Sequence, residues 1–94
     1  VAVRYVDDVS EKAGAGEAVK TLLEQGAVAI LGPGASGQVM DTQASVARAA
    51  VPQITAWATS PLLSDAQPEA QRFLFRTVPP DDLQGRVVAE LLFT

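Results

Sequence analysis

Residues 27–39 read AVAILGPGASGQV: an unbroken aliphatic run of strand length empties into Gly32-Pro33-Gly34-Ala35-Ser36-Gly37, and a helical pattern opens behind it. The first-turn N–H groups of a helix have no intrahelical acceptor, and the helix dipole adds partial positive charge to them. A strand, a glycine turn and a helix start in this order therefore predict a site for a carboxylate or a phosphate. The spacing of Gly32, Gly34 and Gly37 also fits G-x-G-x-x-G.

Upstream, residues 1–6 (VAVRYV) are β-rich, and Asp7-Asp8 are turn residues suited to a strand's carboxyl edge. A loop carrying Gly14 and Gly16 follows. Residues 17–25 then place Ala18, Val19, Leu22 and Leu23 on one helical face, with Gly26 as the C′ stop. Residues 27–31 read as a strand buried on both faces, and residues 36–50 carry Val39, Gln43, Val46, Ala47 and Ala50 at helical spacing behind a Ser36 N-cap.

Downstream, Val51-Pro52 ends that helix and residues 53–57 form the next strand. A polar, proline-containing connection covers residues 58–68, within which Ser60 caps a short helical turn with Pro61 at its first position. Residues 73–77 make a short aromatic strand. After Pro79-Pro80, Asp81 and Gln84 are spaced as a capping box for a helix with Val87, Val88, Leu91 and Leu92 on its inner face. The order β-α-β-α-β-loop-β-α predicts an α/β fold, Rossmann-like, with an open, mainly parallel sheet and helices on both faces.

At 94 residues the chain is one small domain at most. No stretch approaches the roughly 20 apolar residues of a membrane span. Its formal net charge is −4, and the 7 basic residues are scattered, which argues against a nucleic-acid partner. Cysteine and histidine are both absent, which removes thiol nucleophiles, imidazole bases, Ser-His-Asp triads and the usual zinc ligands. Asp7 and Asp8 end a strand and Asp81 and Asp82 open a helix, so neither pair reads as catalytic carboxylates. No enzyme, metal or cofactor is expected. The chain starts without methionine or a signal peptide, and so reads as the interior of something longer.

The glycine turn has two candidate ligands. A dinucleotide fingerprint needs an acidic residue about 20 positions onward, at the end of the next strand. That place is held by Ala56-Trp57-Ala58, and no Asp or Glu lies between Asp41 and Asp65. A P-loop fails too, because no Gly-Lys-Ser/Thr follows the turn. A carboxylate-sized anion site with a serine hydroxyl remains.

Three motifs in order, Gly32-Pro33-Gly34-Ala35-Ser36-Gly37, Ile54-Thr55-Ala56-Trp57-Ala58-Thr59-Ser60-Pro61-Leu62-Leu63-Ser64 and Phe75-Arg76-Thr77-Val78-Pro79-Pro80-Asp81-Asp82-Leu83-Gln84-Gly85, resemble the type I periplasmic binding proteins. The nearest subgroup is the Leu/Ile/Val-binding receptors of ABC importers. The resemblance implies that Ser36, at the helix start with Gly37, and Thr59 hold a ligand carboxylate. It implies that the Trp57 carbonyl and the Thr59 hydroxyl take the ammonium, with Ala58 lining the floor. Each residue also has a plainer role: helix cap for Ser36, core for Trp57, turn start for Thr59. Arg76 reads as a structural donor to a backbone carbonyl or an ion-pair partner rather than a ligand clamp.

The resemblance further implies that residues 1–94 are part of an N-terminal ligand-binding lobe, without the lobe's first strand and helix and without the second lobe. Exposed sheet edges would then invite self-association. Two lobes closing about a hinge would deliver the ligand to a membrane permease, with the protein periplasmic, extracellular, or lipid-anchored in a Gram-positive. The rival readings are a nucleotide-binding α/β enzyme using the Gly32-Gly34-Gly37 turn, and a ligand sensor or regulator on the same fold.

Overall fold

The computed structural model describes residues 1–65 and 72–94, so the end of the connection expected at 58–68 lies outside the described residues. Strands β1 (Ile30–Leu31), β2 (Gln53–Thr55) and β3 (Leu74–Arg76) form a parallel sheet in that order. Around it run helices α1 (Lys12–Glu24), α2 (Ser36–Arg48) and α3 (Asp81–Phe93), with a 3-10 helix at Pro61–Asp65. This is the expected α/β class with a parallel sheet and helices, although α1 and α2 cover one face of it and α3 buries no residue. Parallel neighbours need a crossover between them, and α2 supplies the one from β1 to β2.

Register sorts the strand residues onto two faces. Ile30 lies opposite Gln53 and Gln53 opposite Leu74, while Leu31 lies opposite Ile54 and Ile54 opposite Phe75. Ile30, Gln53 and Thr55 are buried on the face beneath α2, whereas Leu31 is 80% and Phe75 54% exposed. The run 27–31, expected to be covered on both faces, is therefore covered on one. Helices α1 and α2 pack against each other, and Val19, Ile30, Val46 and Val51 make the core between them and the sheet. A second cluster joins Val39, Ala58 and Leu63, with Leu74 against it.

Helices α1 and α2 stop by the same device. After α1 the Gly26 N–H donates to the Leu23 carbonyl and the Ala27 N–H to that of Leu22, both at 3.0 Å, with Gly26 at a φ of 84°. After α2 the Ala50 N–H reaches the Ala47 carbonyl at 3.1 Å and the Val51 N–H that of Val46 at 3.0 Å. These are Schellman ends, but the second puts an alanine at a φ of 53°.

Three expectations are corrected. Helix α1 begins at Lys12, not at residue 17, and absorbs both glycines. A side chain at Gly14 would collide with the Asp8 carbonyl and lie 2.6 Å from Val9 Cγ2, so glycine lets the helix start against that turn. The turn itself is as expected, with Asp7 and Asp8 carboxylates accepting the Val9 and Ser10 N–H groups at 2.8 and 2.9 Å. Residues 1–6 form no strand and are exposed, because no described strand pairs with them.

The third correction concerns α3. Its N-cap is Pro80, which has neither an N–H nor a side-chain acceptor, so the Asp81–Gln84 capping box cannot form; Gln84 Nε2 donates to the Pro79 carbonyl at 2.8 Å instead. Val87, Val88, Leu91 and Leu92, expected to face inward, are exposed, and no residue of α3 is buried.

Ala50 offers a direct check. A left-handed alanine costs roughly 1 kcal/mol relative to glycine, so Ala50→Gly raises the urea midpoint by the equivalent of about 1 kcal/mol; a lower midpoint would contradict the helix end described.

Candidate functional site

The candidate site lies where β1 and β2 end. Beyond Leu31 the Gly32 N–H still joins the ladder, donating to the Ile54 carbonyl at 2.8 Å, and the chain then turns away with Gly32 at a φ of 103°. The turn's own carbonyls cannot reach a strand. They are met by side chains from β2: Gln53 Nε2 donates to the Gly32 carbonyl at 3.0 Å, and Thr55 Oγ1 to the Pro33 carbonyl at 3.0 Å. Gln53 also reaches Thr42 Oγ1 on α2 at 2.8 Å, and Thr55 Oγ1 accepts the Ala58 N–H at 3.3 Å. One buried hydroxyl thus holds both loops.

Helix α2 starts under matching restraint. Gln38 Oε1 accepts the Ala35 N–H at 3.2 Å, and its Nε2 donates to the Glu11 carbonyl at 3.3 Å, tying the starts of α1 and α2 together. Ala35 is the N-cap, so Ser36 is the first helical residue and not the cap expected from sequence. Its hydroxyl turns to the second loop, where Ser36 Oγ accepts the Ser60 N–H at 3.1 Å. Among the described residues, the N–H groups of Ser36, Gly37 and Gln38 have no acceptor.

The second loop is pinned on every side. The Thr59 carbonyl accepts the Asp81 N–H at 2.9 Å, and Ser60 Oγ caps the 3-10 helix by accepting the Leu62 N–H at 3.2 Å, as expected. Arg76 Nη1 donates to the Ser60 carbonyl at 2.8 Å and Nη2 to Ser64 Oγ at 2.9 Å, the structural role expected of it. The Trp57 carbonyl and the Thr59 hydroxyl make no hydrogen bond among the described residues.

Of the predicted site residues, Ser36, Gly37 and Thr59 are half-buried, with Ser36 bonded to the residue that follows Thr59. Trp57 is 80% exposed, so it is not core, and its Cβ stands 4.0 Å from where a Gly34 Cβ would be. Ala58 is 1% exposed and its methyl belongs to the Val39–Leu63 cluster, so it supports the loop from below. The arm of Lys12 lies across Gly37, its Cε 2.8 Å and its Nζ 3.6 Å from the position a Cβ would take. That adds a cation to the positive end of α2.

Sequence reading missed Gln53, Thr55 and Lys12. The alternation Gln-Ile-Thr puts its polar residues inside, the reverse of a half-exposed strand, and only the spatial nearness of the glycine turn explains it. A separate cavity of about 270 Å³, lined by Leu63, Ser64, Leu74 and Arg76, shares none of the predicted ligand residues. No group of three or more metal-ligating side chains occurs among the described residues, and no helix there is long and apolar enough to cross a membrane.

Residues 1–93 match the family model described as the receptor family ligand binding region. The chain belongs to this family. Among solved structures, the chain is similar to the leucine binding protein LivK of Thermotoga maritima, 27% identical, with a TM-score of 0.77 over 89% of this chain and 23% of that one. LivJ of Streptococcus pneumoniae, a branched-chain amino acid transporter substrate binding protein in complex with isoleucine, is 30% identical, with a TM-score of 0.70 over 80% of this chain and 21% of its own. The chain thus spans less than a quarter of the length of either protein. No curated protein matches it.

Thr55 is the site's keystone, and its removal has a clear signature. Thr55→Val keeps the shape but leaves the Pro33 carbonyl and the Ala58 N–H buried without a partner, lowering stability by about 2 kcal/mol in urea unfolding, whereas Thr55→Ser stays within about 1 kcal/mol of the parent.

Proposed function

We propose that the chain is the amino-acid-gripping part of a solute-binding receptor, specific for a branched-chain amino acid or a similar small carboxylate, and that it binds rather than catalyses. The observation that carries this reading is the meeting of the two loops. Ser36, with the open N–H groups of the α2 first turn, faces the segment 57–60 through the 3.1 Å bond between the Ser60 N–H and Ser36 Oγ. Donors gathered at a helix start suit a carboxylate. An uncommitted carbonyl and hydroxyl, at Trp57 and Thr59, suit an ammonium. An α-amino acid carries both groups two bonds apart.

Membership of the receptor family and likeness to an isoleucine-bound relative support the same ligand class. On this reading Ser36, Gly37, Thr59 and the Trp57 carbonyl touch the ligand, Ala58 supports them, and a second lobe closes over the bound molecule. Delivery to a membrane permease from the periplasm or cell exterior is the corresponding role. The dinucleotide alternative lacks support at the decisive place, since Trp57 stands exposed beside Gly34 where a ribose-binding carboxylate is needed.

The test is calorimetry on the complete gene product containing residues 1–94, titrated with leucine, isoleucine, valine, 4-methylpentanoate and NAD. At least one of the amino acids binds, the carboxylate lacking an ammonium binds at least tenfold more weakly, and Ser36→Ala and Thr59→Ala each weaken the amino acid by about tenfold. Binding of NAD alone, or amino-acid affinity indifferent to both substitutions, would overturn the reading.

A further inference from the structure

We propose that Arg76 is a positioning residue for the ligand site: its guanidinium fixes Ser60 so that Ser60, in turn, fixes the hydroxyl of Ser36. The proposal rests on the amino-acid reading of the site and extends it to a residue that touches no ligand.

Ser60 is the joint. Its carbonyl takes Arg76 Nη1, its hydroxyl takes the Leu62 N–H, and its own N–H goes to Ser36 Oγ. Its carbonyl also accepts the Leu63 N–H at 3.3 Å, so four partners on three elements, β3, the 3-10 helix and α2, set its place. The strongest is charged. A guanidinium donating to two acceptors, at 2.8 and 2.9 Å, holds them at a fixed spacing that its planar fork dictates. Those acceptors, the Ser60 carbonyl and Ser64 Oγ, stand at the two ends of the 3-10 turn, so one side chain sets the pose of the whole segment.

The consequence reaches Ser36. A serine hydroxyl rotates to whichever partner suits it. With one lone pair engaged by the Ser60 N–H, the Ser36 proton is directed away from Ser60 and remains available as a donor. Releasing Ser60 frees the hydroxyl to rotate, and the ligand then meets a donor that must be oriented on binding. The placement of Arg76 supports this, because it is the β3 residue paired in register with Thr55, the other residue that holds the two loops.

The experiment uses the complete gene product, with calorimetric affinity for whichever of isoleucine, leucine and valine the parent binds most tightly, and the exchange rate of the Ser60 amide from NMR. Arg76→Ala weakens that amino acid about tenfold, and Arg76→Lys, which reaches one acceptor, weakens it about threefold and serves if the alanine variant does not fold. In an Ser36→Ala background the Arg76→Ala change adds less than about twofold, the non-additivity expected of a residue acting through another. The Ser60 amide exchanges about tenfold faster in Arg76→Ala. Affinity within twofold of the parent in both Arg76 variants, additive losses, or unchanged Ser60 protection would overturn the proposal. Failure of the parent to bind any amino acid would sink the functional reading instead, while the Ser60 amide would still decide whether Arg76 sets the joint.

Discussion

Thr55 Oγ1 stands between the two loops of the site, donating to the Pro33 carbonyl and accepting the Ala58 N–H, and it does so fully buried. A carbonyl shut away from water without a donor costs about 1–3 kcal/mol, and a glycine turn leaving a parallel strand has carbonyls that no ladder can satisfy. Gln53 and Thr55 supply the missing donors from the neighbouring strand. Two polar side chains in the interior are thus the condition for the turn to exist, and the turn is the condition for α2 to begin where it does.

From that fixed start the remaining polar groups divide into two sets. Helix ends, turn carbonyls and caps find partners inside the chain: Gly26 and Ala50 close the C-termini, Gln38 closes Ala35, and Ser60 caps the 3-10 turn. The first-turn N–H groups of α2, the Trp57 carbonyl and the Thr59 hydroxyl do not, among the described residues. They lie on neighbouring loops bridged by Ser36 and Ser60. On the proposed reading, a small zwitterion would supply the complement that the fold leaves open, an anion for the helix start and a cation for the carbonyl.

Much of this was readable from sequence wherever the deciding bond was short in chain distance. The α2 helix, the Gly26 stop, the Asp7-Asp8 turn and the Ser60-Pro61 cap all rest on partners within a few residues. What escaped was set from afar. Ser36 reads as a cap because nothing local shows that Ser60, 24 positions on, claims its hydroxyl. Thr55 looked like an ordinary strand residue because Pro33 lies 22 positions back. The strand expected at residues 1–6 and the inner face expected of α3 are exposed, because periodicity cannot say whether a covering element is present, and no described element covers them.

The most direct measurement is amide shift mapping by NMR of the complete gene product as isoleucine is added. The largest changes should fall on the Ser36, Gly37 and Thr59 amides, with the Ser60 amide retaining its bond to Ser36. Changes centred instead on Leu63, Leu74 and Arg76, with Ser36 and Gly37 unmoved, would place the ligand in the other cavity and contradict the account of the two loops.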